Sequence, residues 1–200
     1  TDGGRLVSPQ EVTSLVLASG QRAEVILVPS GQGGALSAQR FSNELNGKLL
    51  GNPETIATIE PAAGVDLSSV PSSFMMANAR DLFASSEEVV KQRAVKLSSH
   101  MSPRIDGKLF DANVINFVAK KGAVEEWVIT NTSPMYHPIH IHTWGFQIKG
   151  EKGWHDTVIV PPNAEKTIRI AFDDYSGTTV LHCHILDHED TGMMAIIKVE

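Results

Sequence analysis

Short stretches of alternating apolar and polar residues, separated by glycine, proline and asparagine, run through this chain. Ile168, Ile170 and Phe172 fall on one side of an extended segment, with Thr167 and Arg169 on the other. That period of two is the signature of a strand with one buried face. Ala195, Ile197 and Val199 repeat it near the carboxyl end. Residues 124–129 follow the Lys120-Lys121-Gly122 turn, residues 55–59 are a β-branched run, and residues 22–28 hold Val25, Ile26, Leu27 and Val28 between Gly20 and Pro29. Each predicts a strand, and Pro161-Pro162-Asn163 predicts a turn between two of them. Ser85-Ser86-Glu87-Glu88 fits either a short helix capped by Ser85, with Glu88 in the capping-box position, or linker. No segment sustains a 3.6-residue period. The pattern predicts an all-β chain built as a sandwich or barrel.

Pro61-Ala62-Ala63-Gly64 and Ser69-Val70-Pro71-Ser72-Ser73 have linker composition, which places a boundary in residues 61–90. Residues 1–60 contain no histidine or cysteine. They are short for a full sandwich of about seven strands, which takes roughly 100 residues. They read as the tail of a domain whose beginning lies elsewhere. Thr1-Asp2-Gly3-Gly4 shows neither an initiator methionine nor a signal-peptide pattern, so a processed or excised segment is expected.

Composition narrows the class only a little. Of the 200 residues, 42% are hydrophobic and 20% charged, as in ordinary globular proteins. A net charge of -6 without a basic cluster argues against nucleic-acid binding. No apolar run reaches the roughly 18 residues of a membrane span. One cysteine cannot form an internal disulfide and says nothing about redox compartment.

The candidate chemistry gathers in two segments. His137-Pro138-Ile139-His140-Ile141-His142 carries three histidines, and His182-Cys183-His184 sets the single cysteine between two more. On a strand, successive side chains point to opposite faces, so the Cys183 thiol and its two imidazole neighbours diverge. His188 follows the cysteine by five residues and Met193 by ten. A blue copper site needs one thiolate, two imidazoles and a weak axial thioether, and Cys183, His137, His188 and Met193 fill that set. His140, His142, His182 and His184 remain, all at even positions. If both segments are extended and adjacent, these four can share the opposite face as a nitrogen-only cluster, although Pro138 is placed to disturb the alternation. Zinc is the competing metal, but the paired C-x-x-C spacing of structural zinc is absent. His100 and His155 have no spaced partners and read as structural. Met194 reads as core, and Met75-Met76 as packing rather than soft-metal handling.

These motifs resemble the two carboxyl-terminal copper motifs of multicopper oxidases, and most of all those of bacterial and spore-coat laccases, bilirubin oxidases and cuprous oxidases. The likeness is carried by residues 137–142 and 182–194. Ile105-Asp106-Gly107-Lys108-Leu109-Phe110-Asp111, Val124-Glu125-Glu126-Trp127, residues 156–162 and Asp174-Tyr175-Ser176-Gly177 support it. It covers roughly residues 91–200, and Gly20-Gln21-Arg22-Ala23-Glu24-Val25 more weakly resembles the end of the family's middle domain. The resemblance implies a cupredoxin-like Greek-key β-sandwich over 91–200. Ahead of it come a linker at 61–90 and, at 1–60, the end of a middle cupredoxin domain. It implies type 1 copper on His137, Cys183, His188 and Met193, type 2 copper on His140, and type 3 coppers on His142, His182 and His184. Glu189 resembles the acidic residue that assists proton delivery to oxygen, although position alone also fits a solvated loop carboxylate.

The implied activity is one-electron oxidation of a small reductant (a phenol, an aromatic amine or Cu(I)) coupled to four-electron reduction of dioxygen to water. Electrons would pass from Cys183 through the backbone to His182 and His184. The chain departs from the family in one respect. A full trinuclear cluster takes eight histidines, and no His-x-His motif stands in residues 1–130. An amino-terminal cupredoxin domain, from the same precursor or a second chain, is therefore the expected partner. A blue-copper electron carrier without oxygen chemistry is the alternative, and a copper-binding relative without turnover a third. The resemblance also implies a periplasmic, secreted or cell-surface location.

Overall fold

The computed structural model describes residues 1–4, 6–27, 32–43, 47–60, 80–99 and 102–200. His100, Met75, Met76 and the linker-like stretch up to residue 79 lie outside these. The strands are β1 (Gly34–Phe41), β2 (Leu49–Ile59), β3 (Val89–Ser98), β4 (Arg104–Ile105), β5 (Ile115–Ala119), β6 (Val124–Asn131), β7 (His137–Ile141), β8 (Phe146–Ile148), β9 (Thr157–Val160), β10 (Glu165–Ala171), β11 (Gly177–Cys183) and β12 (Met194–Val199), with one short helix, α1 (Leu186–Asp190), after β11. β1 and β2 form an antiparallel pair of their own. The rest make two five-stranded sheets, in the orders β4-β3-β6-β10-β8 and β5-β12-β11-β7-β9. From β4 to β11 every connection crosses from one sheet to the other. This is the all-β, cupredoxin-like sandwich that the alternating pattern and the resemblance lead one to expect.

Alternation explains which residues fill the space between the sheets. Trp127 and Ile129 from β6, with Ile168 and Ile170 from β10, face Phe117, Leu181, Ala195 and Ile197 from the second sheet. Burying each large apolar side chain is worth about 1.5–3 kcal/mol, so the face that holds them is forced inward. One carboxylate enters this layer. Glu125 accepts from Trp127 Nε1 at 2.9 Å and pairs with Arg93 Nε at 2.5 Å. Asn163, with φ 51°, turns the chain between β9 and β10, where the Pro161-Pro162-Asn163 turn is predicted.

One local expectation differs from the structure, and one of the two readings of residues 85–90 falls away. Residues 22–27 pair with no strand among the described residues, and Val25, Ile26 and Leu27 are roughly half exposed. An apolar run becomes a strand only where a neighbour completes its hydrogen bonds. Residues 85–90 are not helical. Asp81 makes the turn one step earlier, its Oδ1 accepting from the backbone N–H of Phe83 and Ala84, and β3 begins at Val89.

Candidate metal centres

β7 and β11 lie side by side, with His182 opposite His140 and Cys183 opposite Ile139. Pairing of β7 with β9 runs unbroken through Pro138, so the proline does not disturb the alternation. The odd positions His137, Ile139, Ile141, Leu181 and Cys183 are buried between the sheets. The even positions His140, His142, His182 and His184 come together on the other face of the sheet.

On the inner side, the Cys183 sulfur lies 3.6 Å from His137 Nδ1 and 3.8 Å from His188 Nδ1. The ligand atoms of these three residues all fall within 4.8 Å of one another. His188 arrives on α1, which reverses the chain after Cys183 and hands it to Met193. That return is pinned where Met193 N donates to His188 O at 2.8 Å and Cys183 N to Met193 O at 3.1 Å. Met193 is fully buried in the same cluster as Cys183. Burial raises the Cys183 thiol to about 12, while burial and the neighbouring His188 lower His137 to about 4. Burial lowers His188 as well. A neutral thiol and neutral imidazoles therefore converge on one point, and a cation bound there would convert the thiol to thiolate.

His137 is held from behind. Its Nε2 donates to Ser133 Oγ at 2.7 Å, and that hydroxyl donates to Asn131 Oδ1 at 2.8 Å. The Asn131 amide in turn donates to the carbonyls of Met135, Val160 and Pro161. The proton is thereby fixed on Nε2, which leaves the Nδ1 lone pair facing sulfur.

On the outer side the four remaining rings pack together. Centroid separations are 4.6 Å for His140–His142, 4.7 Å for His140–His184, 5.0 Å for His142–His182 and 5.0 Å for His182–His184. The Nε2 atoms of His142 and His182 face each other at 2.9 Å. Three of the rings are anchored through Nδ1 to acceptors outside the cluster. His140 donates to Asp156 O at 2.8 Å and His184 to Ser19 O at 2.9 Å, while His182 Nδ1 lies 3.2 Å from Glu189 Oε2. A carbonyl can only accept, so in His140 and His184 Nδ1 carries the proton and the Nε2 lone pair is left to face a metal. Burial lowers His140 and His142, which keeps these rings neutral. Such donors suit a cation far better than they suit each other.

Every histidine singled out in residues 137–188 thus falls in one of the two groups. His155 is buried between Asp2 Oδ1 and Lys152 O, outside both. The anchoring residues Ser133, Asn131, Asp156, Ser19 and Gly20 escape the sequence reading. Only Ser133 is near its histidine in the chain, and a hydroxyl four residues from a histidine is too common a pattern to stand out.

The multicopper oxidase family model matches residues 81–200. A multicopper oxidase of Staphylococcus haemolyticus is 31% identical over 213 residues, covering 100% of this chain and 42% of that protein. The solved multicopper oxidase of Campylobacter jejuni, described as a metallo-oxidase, superposes with a TM-score of 0.64 at 26% identity, over 84% of this chain and 41% of that one. The laccase of Pediococcus acidilactici Pa5930 is 36% identical with a TM-score of 0.56, over 65% of this chain and 30% of that one. The chain spans less than half the length of these relatives. No helix among the described residues is long and apolar enough to cross a membrane. A buried sulfur–nitrogen site, an all-nitrogen cluster across one strand from it, and a family match over the whole sandwich agree: the chain belongs to the multicopper oxidases, whose cofactor is copper.

Proposed function

We propose that this chain is the carboxyl-terminal part of a laccase-like oxidase, with residues 1–60 ending a middle cupredoxin domain, 61–90 linking and 91–200 forming the last one. His137, Cys183, His188 and Met193 hold type 1 copper. His140 serves type 2 copper, and His142, His182 and His184 serve the type 3 pair. An amino-terminal domain, of the same precursor or a second chain, supplies the remaining histidines. Copper held there would supply one-electron oxidation of a small reductant and four-electron reduction of dioxygen to water. Ligand residues so divided suit copper, since a soft thiolate with imidazoles favours its cycling and imidazoles alone suit the harder oxygen chemistry.

The protein's own part is positioning. Burial of Cys183 and His137 keeps water from the inner site, and the Asn131–Ser133 relay holds the His137 proton on Nε2. The Cys183 peptide links that site to both neighbouring imidazoles by a few covalent bonds. Glu189, about one-third exposed, reaches from solvent to His182 Nδ1 and is the group proposed to carry protons inward. Export to the periplasm, cell surface or medium goes with the same reading.

The observation that carries the proposal is that Cys183, at the end of β11, faces the inner site while His182 and His184 on either side of it face the outer cluster. The electron-carrier alternative leaves four converged histidines without a purpose. The test is oxygen uptake by the copper-loaded protein joined to its missing domain, with a phenol, an aromatic amine and Cu(I) as reductants. Uptake together with a visible thiolate-to-copper band is expected, and Cys183→Ser should abolish both. A blue Cys183→Ser protein, or a blue wild type that consumes no oxygen, would overturn it.

A further inference from the structure

We infer that the turn at Ser19–Arg22, which lies outside the sandwich, is a positioning element for His184 and His140. This rests on the four-histidine cluster being a copper site. The turn meets His184 head on: Ser19 O accepts from His184 Nδ1 at 2.9 Å. The next residue must be glycine for two separate reasons. Its φ is +78°, a conformation that L side chains rarely adopt, and a Cβ there would sit 2.3 Å from His184 Nδ1 and 2.4 Å from Cε1. The backbone therefore lies closer to the ring than a residue with a side chain allows.

The turn is clamped to the sandwich at the residues that also hold His140. Gln21 closes the turn by accepting from Ala18 N at 3.0 Å through Oε1, and its Nε2 donates to Thr157 O at 3.1 Å. Arg22 forks onto Asp156, at 2.6 Å to Oδ2 and 3.2 Å to Oδ1, and also donates to Gly20 O and Asp2 O at 2.7 Å each. The Asp2 carboxylate accepts from the backbone N–H of Asp156 and Thr157. The carbonyl of that same Asp156 accepts from His140 Nδ1 at 2.8 Å. Two rings of the cluster are thus oriented by one strap, one directly and one through Asp156. Losing an outer partner of a metal-binding histidine typically weakens the metal by about 10–100-fold.

The test compares wild type, Gly20→Ala and Arg22→Gln, each joined to the amino-terminal domain that supplies the remaining histidines of the cluster. Long-range proton–nitrogen correlation of the imidazoles reads the His184 tautomer without metal. Cu(II) titration follows the visible band for the Cys183 site and equilibrium dialysis for total copper. In Gly20→Ala the His184 Nδ1–H signal should be lost and copper beyond the blue ion bound about 10–100-fold more weakly, with the visible band unchanged. Arg22→Gln adds no atom near the ring and should move the same readouts in the same direction by less. Variants that keep the Nδ1–H signal and wild-type copper affinity overturn the inference. So does a visible band that falls in step with the rest, since that marks general damage. A wild type that binds only the blue copper defeats the oxidase reading too, and is recognised before any variant is made.

Discussion

Ser133→Ala removes one oxygen from behind the inner site. In the wild type, Ser133 and His137 are both fully buried, and His137 Nε2 donates to that hydroxyl at 2.7 Å. Asn131 Oδ1 keeps a second donor in Ser133 N, at 2.9 Å, so the close partner lost is that of the imidazole N–H, together with a longer contact from Met135 N at 3.4 Å. One orphaned buried donor costs about 1–3 kcal/mol. At roughly 4 °C per kcal/mol for a domain of this size, a loss near 2 kcal/mol lowers the metal-free Tm by about 8 °C. The metal-free variant has a way to relieve part of that cost. Its proton can move to Nδ1 and point at the Cys183 sulfur, 3.6 Å away. Copper binding must then reverse the shift, so affinity at the inner site should fall about 10–100-fold. Calorimetry of the metal-free chain gives the first quantity, and competition with a chelator followed at the visible band gives the second. An unchanged Tm with unchanged copper affinity would show that the relay holds nothing.

Other expectations concern pH, the buried ion pair and the axial ligand. His137 stays neutral in the fold down to about 4 against 6.5 unfolded; the unfolded chain binds the proton first, so metal-free stability should fall by about 3 kcal/mol as pH drops through that window. Cys183 has the opposite sign: with its thiol raised to about 12 from 9.0, its contribution is full below 9.0 and is lost as pH rises between those values. Urea midpoints across pH would check both, and a flat profile below 6.5 would contradict the buried imidazole. Glu125→Leu strands Arg93 and Trp127 Nε1 and should cost about 3–5 kcal/mol, readable in the same denaturation series. Met193→Leu should raise the reduction potential of the blue site, measured by spectroelectrochemistry; an unchanged potential would remove Met193 from the ligand set.

Much of the site was legible because strand alternation is a local rule. Even and odd positions in 137–142 and 182–184 sort the candidate ligands before any partner is known, and the His140–His182 pairing then follows from two such strands lying together. α1 was not legible, since five residues hold too little of a helical period to register. The strand expected at 22–28 finds no partner over its described residues, 22–27, because hydrophobic content is local and a pairing partner is not. The strap escaped for a related reason. Arg22 and Asp156 stand 134 residues apart, and no spacing in the sequence says that a glycine at 20 exists to spare a ring at 184.

β11 is hydrogen-bonded on both edges, to β12 and to β7. Sliding it by one residue would carry Cys183 to the outer face and both imidazoles inward, exchanging the chemistries of the two centres. The strand therefore works as a ratchet with a single tooth. Insertions and deletions within it should be lethal to function, and so should any change of length between Cys183 and Met193, because that return is pinned at both ends by backbone hydrogen bonds.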